Sequence, residues 1–147
     1  MQRRQLLTCL LSAATLSALS TLARAADDLV VIVHKDNPHI VDRAYVARIY
    51  TGATKGWPDG SPVFPLDQTD NSEIREQFYV TIVGRSLATM RAVWAQNIFS
   101  GKGLPPKIAA PDAEMRRIVA SNLHAIGYIR ASAVDDCVNV IARVAPQ

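Results

Sequence analysis

Cysteine is nearly absent from this chain. Of the two in 147 residues, Cys9 sits in an N-terminal leader described below and Cys137 stands alone after it. One thiol cannot close an internal disulfide, so no disulfide scaffold organises the fold. A lone thiol in an oxidising compartment is expected to be buried and inert. The spacings of common catalytic and metal sites are missing as well. There is no Gly-x-Ser-x-Gly, no His-Glu-x-x-His, no Walker loop and no cysteine pair. His34, His39 and His124 lack ligand spacing and read as loop histidines, and Glu73 and Glu76 read as exposed helix-face charges. The chain is therefore expected to be no enzyme, and to carry no metal and no cofactor.

A surplus of one charge is missing too, once the leader is set aside. MQRRQLL opens with two arginines, LLTCLLSAATLSALSTLA is apolar and small, and Ala23-Arg24-Ala25 fits a small-x-small cleavage pattern. These features predict a signal peptide over residues 1–25, cleaved after Ala25. Its apolar core is too short and too rich in Ser and Thr for a stable span. Arg3-Arg4 with Leu6-Leu7 leaves ordinary and twin-arginine export both open. Cys9 precedes the apolar run, which excludes a lipoprotein cysteine. Arg3, Arg4 and Arg24 account for the formal +3, leaving 13 Lys and Arg against 13 Asp and Glu. A neutral chain gives no ground for a nucleic-acid partner.

Residues 26–147 form one domain, without repeats or low-complexity segments, able to bury about two-thirds of the chain's surface. Asp28-Leu-Val-Val-Ile-Val33 reads as a strand covered on both faces. Asp42 is the expected cap of a helix whose inward residues are Val46, Ile49 and Tyr50, closed by Gly52. Val63–Leu66 reads as a second strand. Asp70 and Glu73 have the spacing of a capping box for a helix running to Gly84, with Ile74, Phe78 and Ile82 inward. Ser86 is expected to cap a helix with Leu87, Met90, Trp94 and Ile98 on one stripe. GKGLPPK reads as a loop. Pro111 opens a further helix with Met115, Ile118 and Val119 inward. Strands are expected over Ala125–Ile129 and Val138–Val144. Alternating strands and helices predict an α/β fold with a mostly parallel sheet flanked by helices.

In open parallel sheets ligands bind beyond the carboxyl ends of the strands. The candidates are then Lys35 after the first strand, Thr69, Asp70, Asn71 and Ser72 after the second, and Arg130 after Ala125–Ile129. Gathered on one edge, their cations, hydroxyls and helix N–H groups suit an oxyanion. The same Asp70-x-x-Glu73 turn serves equally as a plain helix cap.

Five segments in order carry a resemblance: Asp42…Arg48-Ile-Tyr-Thr-Gly52, Trp57-Pro-Asp-Gly, Val63-Phe-Pro-Leu-Asp-Gln-Thr-Asp-Asn-Ser72, Trp94…Ile98-Phe-Ser-Gly-Lys-Gly103 and Ala125-Ile-Gly-Tyr128. Together they are similar to the middle lobe of the substrate-binding proteins of phosphate ABC transporters, with the short single-domain members as the best match. The resemblance implies one lobe of a type 2 periplasmic-binding-protein fold, a periplasmic location, and inorganic phosphate or a similar oxyanion as ligand. Full-length members hold phosphate through a turn of Arg then Asp-Gly-Ser-Gly-Thr. Here Asp70 and Ser72 match it, Gln68 stands at the arginine position, and Glu73-Ile74 replaces Gly-Thr. Two functions follow: a solute-binding lobe connected with ABC transport, or an envelope interaction module that has lost its ligand. The partner in the second is a further copy of this chain or an envelope protein.

Overall fold

The computed structural model describes residues 28–145; the expected leader and its cleavage site lie outside them. Five strands, β1 (Leu29–His34), β2 (Phe64–Asp67), β3 (Lys107–Ile108), β4 (Ala125–Arg130) and β5 (Val138–Val144), form one sheet in the order β3-β2-β4-β1-β5. Helices α1 (Arg43–Tyr50), α2 (Glu73–Phe78), α3 (Leu87–Phe99) and α4 (Asp112–Ser121) flank it, giving the α/β sandwich that the sequence implies.

Strand β1, interior to the sheet, is the most apolar segment among the described residues. Leu29, Val31 and Val33 enter a core with Tyr50, Trp57, Phe78, Tyr79 and Met90, while Val30 and Ile32 face Leu66, Met115, Val119 and Ile129 on the other side. Each such side chain, fully buried, contributes about 1.5–3 kcal/mol. A strand apolar on both faces must sit inside the sheet, and β1 does.

The direction of β1 is the principal correction to the expected sheet. It pairs antiparallel with both β4 and β5, whereas β2 pairs parallel with β3 and β4. Four strands therefore run one way and β1, between β4 and β5, runs against them. The carboxyl end of β1 lies at the opposite edge from those of β2 and β4, since Leu29 faces Arg130 and Val33 faces Ile126.

Local sequence explains most helix ends. Asp42 accepts the Tyr45 N–H at 2.7 Å, and Ser86 accepts that of Thr89 at 3.1 Å. Gly52 adopts φ +77°, where a Cβ would also stand 2.9 Å from Asn97 Nδ2. The helix expected from Glu73 to Gly84 changes pitch. Past Phe78 it becomes a π turn over Tyr79–Val83, which turns the consecutive Phe78 and Tyr79 both into the core. Its expected capping box is not formed: Ser72 is the N-cap residue, its side chain makes no cap bond, and Asp70 binds Arg75 instead. On α3, Asn97 closes the inward stripe by donating to Thr51 O at 3.1 Å, and Ile98 turns outward. Lys107, the last residue of the expected loop, forms β3 together with Ile108, and Cys137, expected to be buried, is exposed.

Candidate functional site

The carboxyl ends of β2 and β4 and the start of α4 enclose an open cleft of about 760 Å³. Gln68, Thr69, Ser72, Glu73 and Ile74 line one wall, Ala110–Ala113 another, and Arg130 and Ala133 the floor. The antiparallel turn of β1 leaves Lys35 out. It lies at the other end of the sheet, where its ammonium contacts Asp36 at 2.7 Å and its carbonyl accepts from Asn139. Of the expected residues, Thr69, Ser72 and Arg130 therefore share the cleft. Asn71 is exposed on the turn outside its lining, and Asp70 points to Arg75.

Beneath the turn lies a buried polar cluster. Asp67, almost fully buried, accepts from Tyr79 Oη at 2.9 Å, from Arg75 Nε at 3.0 Å, from the Gln68 N–H at 2.9 Å and, closely, from Tyr128 Oη. A carboxylate in a low-dielectric site persists only when donors compensate its lost hydration. Desolvation, reinforced by the charge of Asp67, pushes the phenols of Tyr79 and Tyr128 far above their ordinary range. Arg75 divides its guanidinium between Asp67 and Asp70, at 3.0 and 2.8 Å. Asp67 and Asp70 are thereby drawn away from the cleft, and Arg75 is engaged by both.

Gln68, at the position where the resemblance has arginine, is buried as part of this framework. Its Nε2 donates to Asp112 Oδ1 at 2.8 Å and to Tyr128 O at 3.3 Å. Asp112 Oδ2 in turn accepts the backbone N–H of Arg130 at 2.9 Å. An internal carboxylate thus takes two donors at the cleft edge. Sequence reasoning missed Asp112, because an acidic first-turn residue after proline reads as an ordinary complement to the helix dipole. The cleft carries the charges of Arg130, Asp112 and Glu73. It can hold a small polar solute through hydroxyls and one guanidinium, and it opposes any anion that brings no proton of its own. Among the described residues, no cluster of His, Cys, Asp or Glu is arranged to hold a metal.

Neither a protein-family model nor a curated relative matches the sequence. Solved structures do. The chain is similar to a putative phosphate ABC transporter substrate-binding protein with bound phosphate from Clostridium perfringens, with a TM-score of 0.63 and 26% identity over 80% of this chain and 46% of that one. It also matches an ABC-type phosphate transport receptor from Vibrio cholerae, at TM-score 0.60 and 20% identity over 80% of this chain and 47% of that one. PstS from Borrelia burgdorferi matches in fold at TM-score 0.57 and 11% identity, over 84% of this chain and 52% of that one. The chain spans about half the length of these structures. The described domain is phosphate-binding-protein-like.

Proposed function

We propose that this phosphate-binding-protein-like lobe presents a weak oxyanion site of the cell envelope, taking hydrogen phosphate or a close analogue in connection with ABC transport and without catalysis. The carrying observation is that the hydroxyl of Ser72 does no capping and lines the same cleft as Thr69 and Arg130. Thr69 and Ser72 would supply hydroxyl contacts and Arg130 the counter-charge, while Asn71 stands on the turn outside the cleft. Asp70 acts through Arg75, and Lys35 takes no part. A periplasmic location agrees with the leader read in residues 1–25 and with the likeness to phosphate-transport receptors.

The chemistry also sets a limit. Hydrogen bonds to a charged group contribute about 1.5–3 kcal/mol each, and an open cleft recovers only a few of them. Less the cost of association, that amounts to about 4 kcal/mol, or millimolar affinity. Hydrogen phosphate has a proton to give to Asp112 or Glu73, whereas sulfate has none, so phosphate is preferred.

A second reading is favoured by the bond pattern of Asp112. With the Gln68 amide and the Arg130 N–H taken by an internal carboxylate, the lobe works as a ligand-free interaction module, docking on a second copy or on an envelope protein. Isothermal titration of residues 26–147 against phosphate and sulfate separates the two. Saturable heat with phosphate, weakened by Ser72→Ala, supports the first; no heat at millimolar phosphate leaves the second.

A further inference from the structure

Helix α3 and the loop after it carry charge of one sign. From Gly84 to Ala110 the sequence holds Arg85, Arg91, Lys102 and Lys107 and not one Asp or Glu. Lys55 joins them from the connector after α1, with its Nζ 3.7 Å from where a Cβ on Gly103 would stand. All five side chains are exposed, and among the described residues none of them enters an ion pair.

Some apolar residues here also face outward. Leu87, Met90, Trp94 and Asn97 turn to the core, which leaves Arg91, Ala95 and Ile98 in an outward row at helical spacing. Phe99 is 91% exposed, Leu104 78% and Ile98 53%. Phe99 and Leu104 stand on either side of Ser-Gly-Lys-Gly, as projecting tips rather than the walls of a groove. Neither lines the cleft.

We propose that this face docks on an anionic phospholipid surface, with the cations over the headgroup phosphates and Phe99 and Leu104 dipping beneath them. Two features favour a bilayer over a protein. A membrane surface of one sign complements a stretch without carboxylates, and each cation near it adds to binding within a Debye length. A fluid interface also accepts convex apolar tips without a matching pocket, which a protein partner would have to supply. The proposal stands independently of the oxyanion reading.

The test is flotation of the full chain, as the producing cell processes it and with its N-terminus read by mass spectrometry. The vesicles are phosphatidylcholine mixed with phosphatidylglycerol, against phosphatidylcholine alone. Two double variants, Phe99→Ser with Leu104→Ser and Arg91→Glu with Lys102→Glu, share whatever the N-terminus contributes. The wild type should float with the anionic vesicles only, and high salt should release it. Both variants should bind roughly tenfold or more weakly, with unchanged circular dichroism. Equal binding by wild type and variants overturns the proposal. So does a concentration-dependent dimer in sedimentation that Phe99→Ser disperses without any vesicle binding, which would assign the face to a second copy.

Discussion

Gln68 donates its side-chain amide to Asp112 Oδ1 at 2.8 Å, tying the turn after β2 to the first turn of α4 at the edge of the cleft. The bond places a negative charge where a phosphate site of the related kind would want a positive one. Asp112→Ala should therefore act in two directions. Stability should fall by about 1–3 kcal/mol in urea unfolding, because the Arg130 N–H and the Gln68 amide lose a charged acceptor. Sulfate affinity should move closer to that of phosphate, because one of the two cleft carboxylates that can accept the phosphate proton is gone while Glu73 remains. Titration with both anions checks it, and a variant that binds neither, like a non-binding parent, would favour the ligand-free module.

Lys35 follows β1 and Arg130 ends β4, yet they occupy opposite ends of the sheet because β1 runs against β4. Lys35→Ala should leave phosphate binding unchanged. Arg130→Gln should weaken it about tenfold, the cost of one charge-assisted contact. If the two variants lose affinity alike, the ligand sits somewhere other than this cleft.

What the sequence disclosed and what it hid have separate physical causes. The β-branched run Leu29–Val33 announced a strand buried on both faces, and Asp42 and Ser86 announced helix starts, because these are local properties. Strand direction is not local. Nothing in LVVIV distinguishes parallel from antiparallel neighbours, and that one unknown moved Lys35 from the site to the far edge. Asp70 and Glu73 had the spacing of a capping box, but Arg75, five residues on from Asp70, outbid the backbone for its carboxylate. Asp112 acts through partners 44 and 18 residues away, which no window of sequence displays.

The Asp67 cluster ties stability to alkaline pH. Desolvation and the charge of Asp67 raise the phenols of Tyr79 and Tyr128, and burial raises that of Tyr50. The same groups titrate near 10 in the unfolded chain. A pKa raised by folding gives stability that is complete below the unfolded value and is lost as pH climbs towards the folded one. The urea midpoint should hold up to about pH 9 and fall steeply above about pH 10. Most tyrosinate absorbance should appear together with unfolding, and Tyr79→Phe should make the fall shallower. Tyrosinate absorbance complete before the circular dichroism changes would refute the burial account.

Gly127 fixes how closely α4 lies on the sheet. A Cβ there would stand 2.8 Å from Met115 Sδ, 2.9 Å from Met115 Cγ and 3.4 Å from Val119 Cγ2. Met115 and Val119 are fully buried, and Met115 Sδ also accepts the Tyr128 N–H at 3.1 Å, so neither side chain has open space to enter. Gly127→Ala must push α4 outward or force Met115 off its rotamer, at about 1–3 kcal/mol. Because α4 begins at Asp112, the outward shift should also lengthen the bonds to Gln68 and Arg130 and change anion binding. Met115→Ala alone should cost about 2–5 kcal/mol through the cavity it leaves. In the double variant the new methyl enters that cavity, so the two costs should sum to more than the measured loss, by at least about 0.5 kcal/mol. Simple additivity in urea unfolding would mean that the helix, and not Met115, yields to the added methyl.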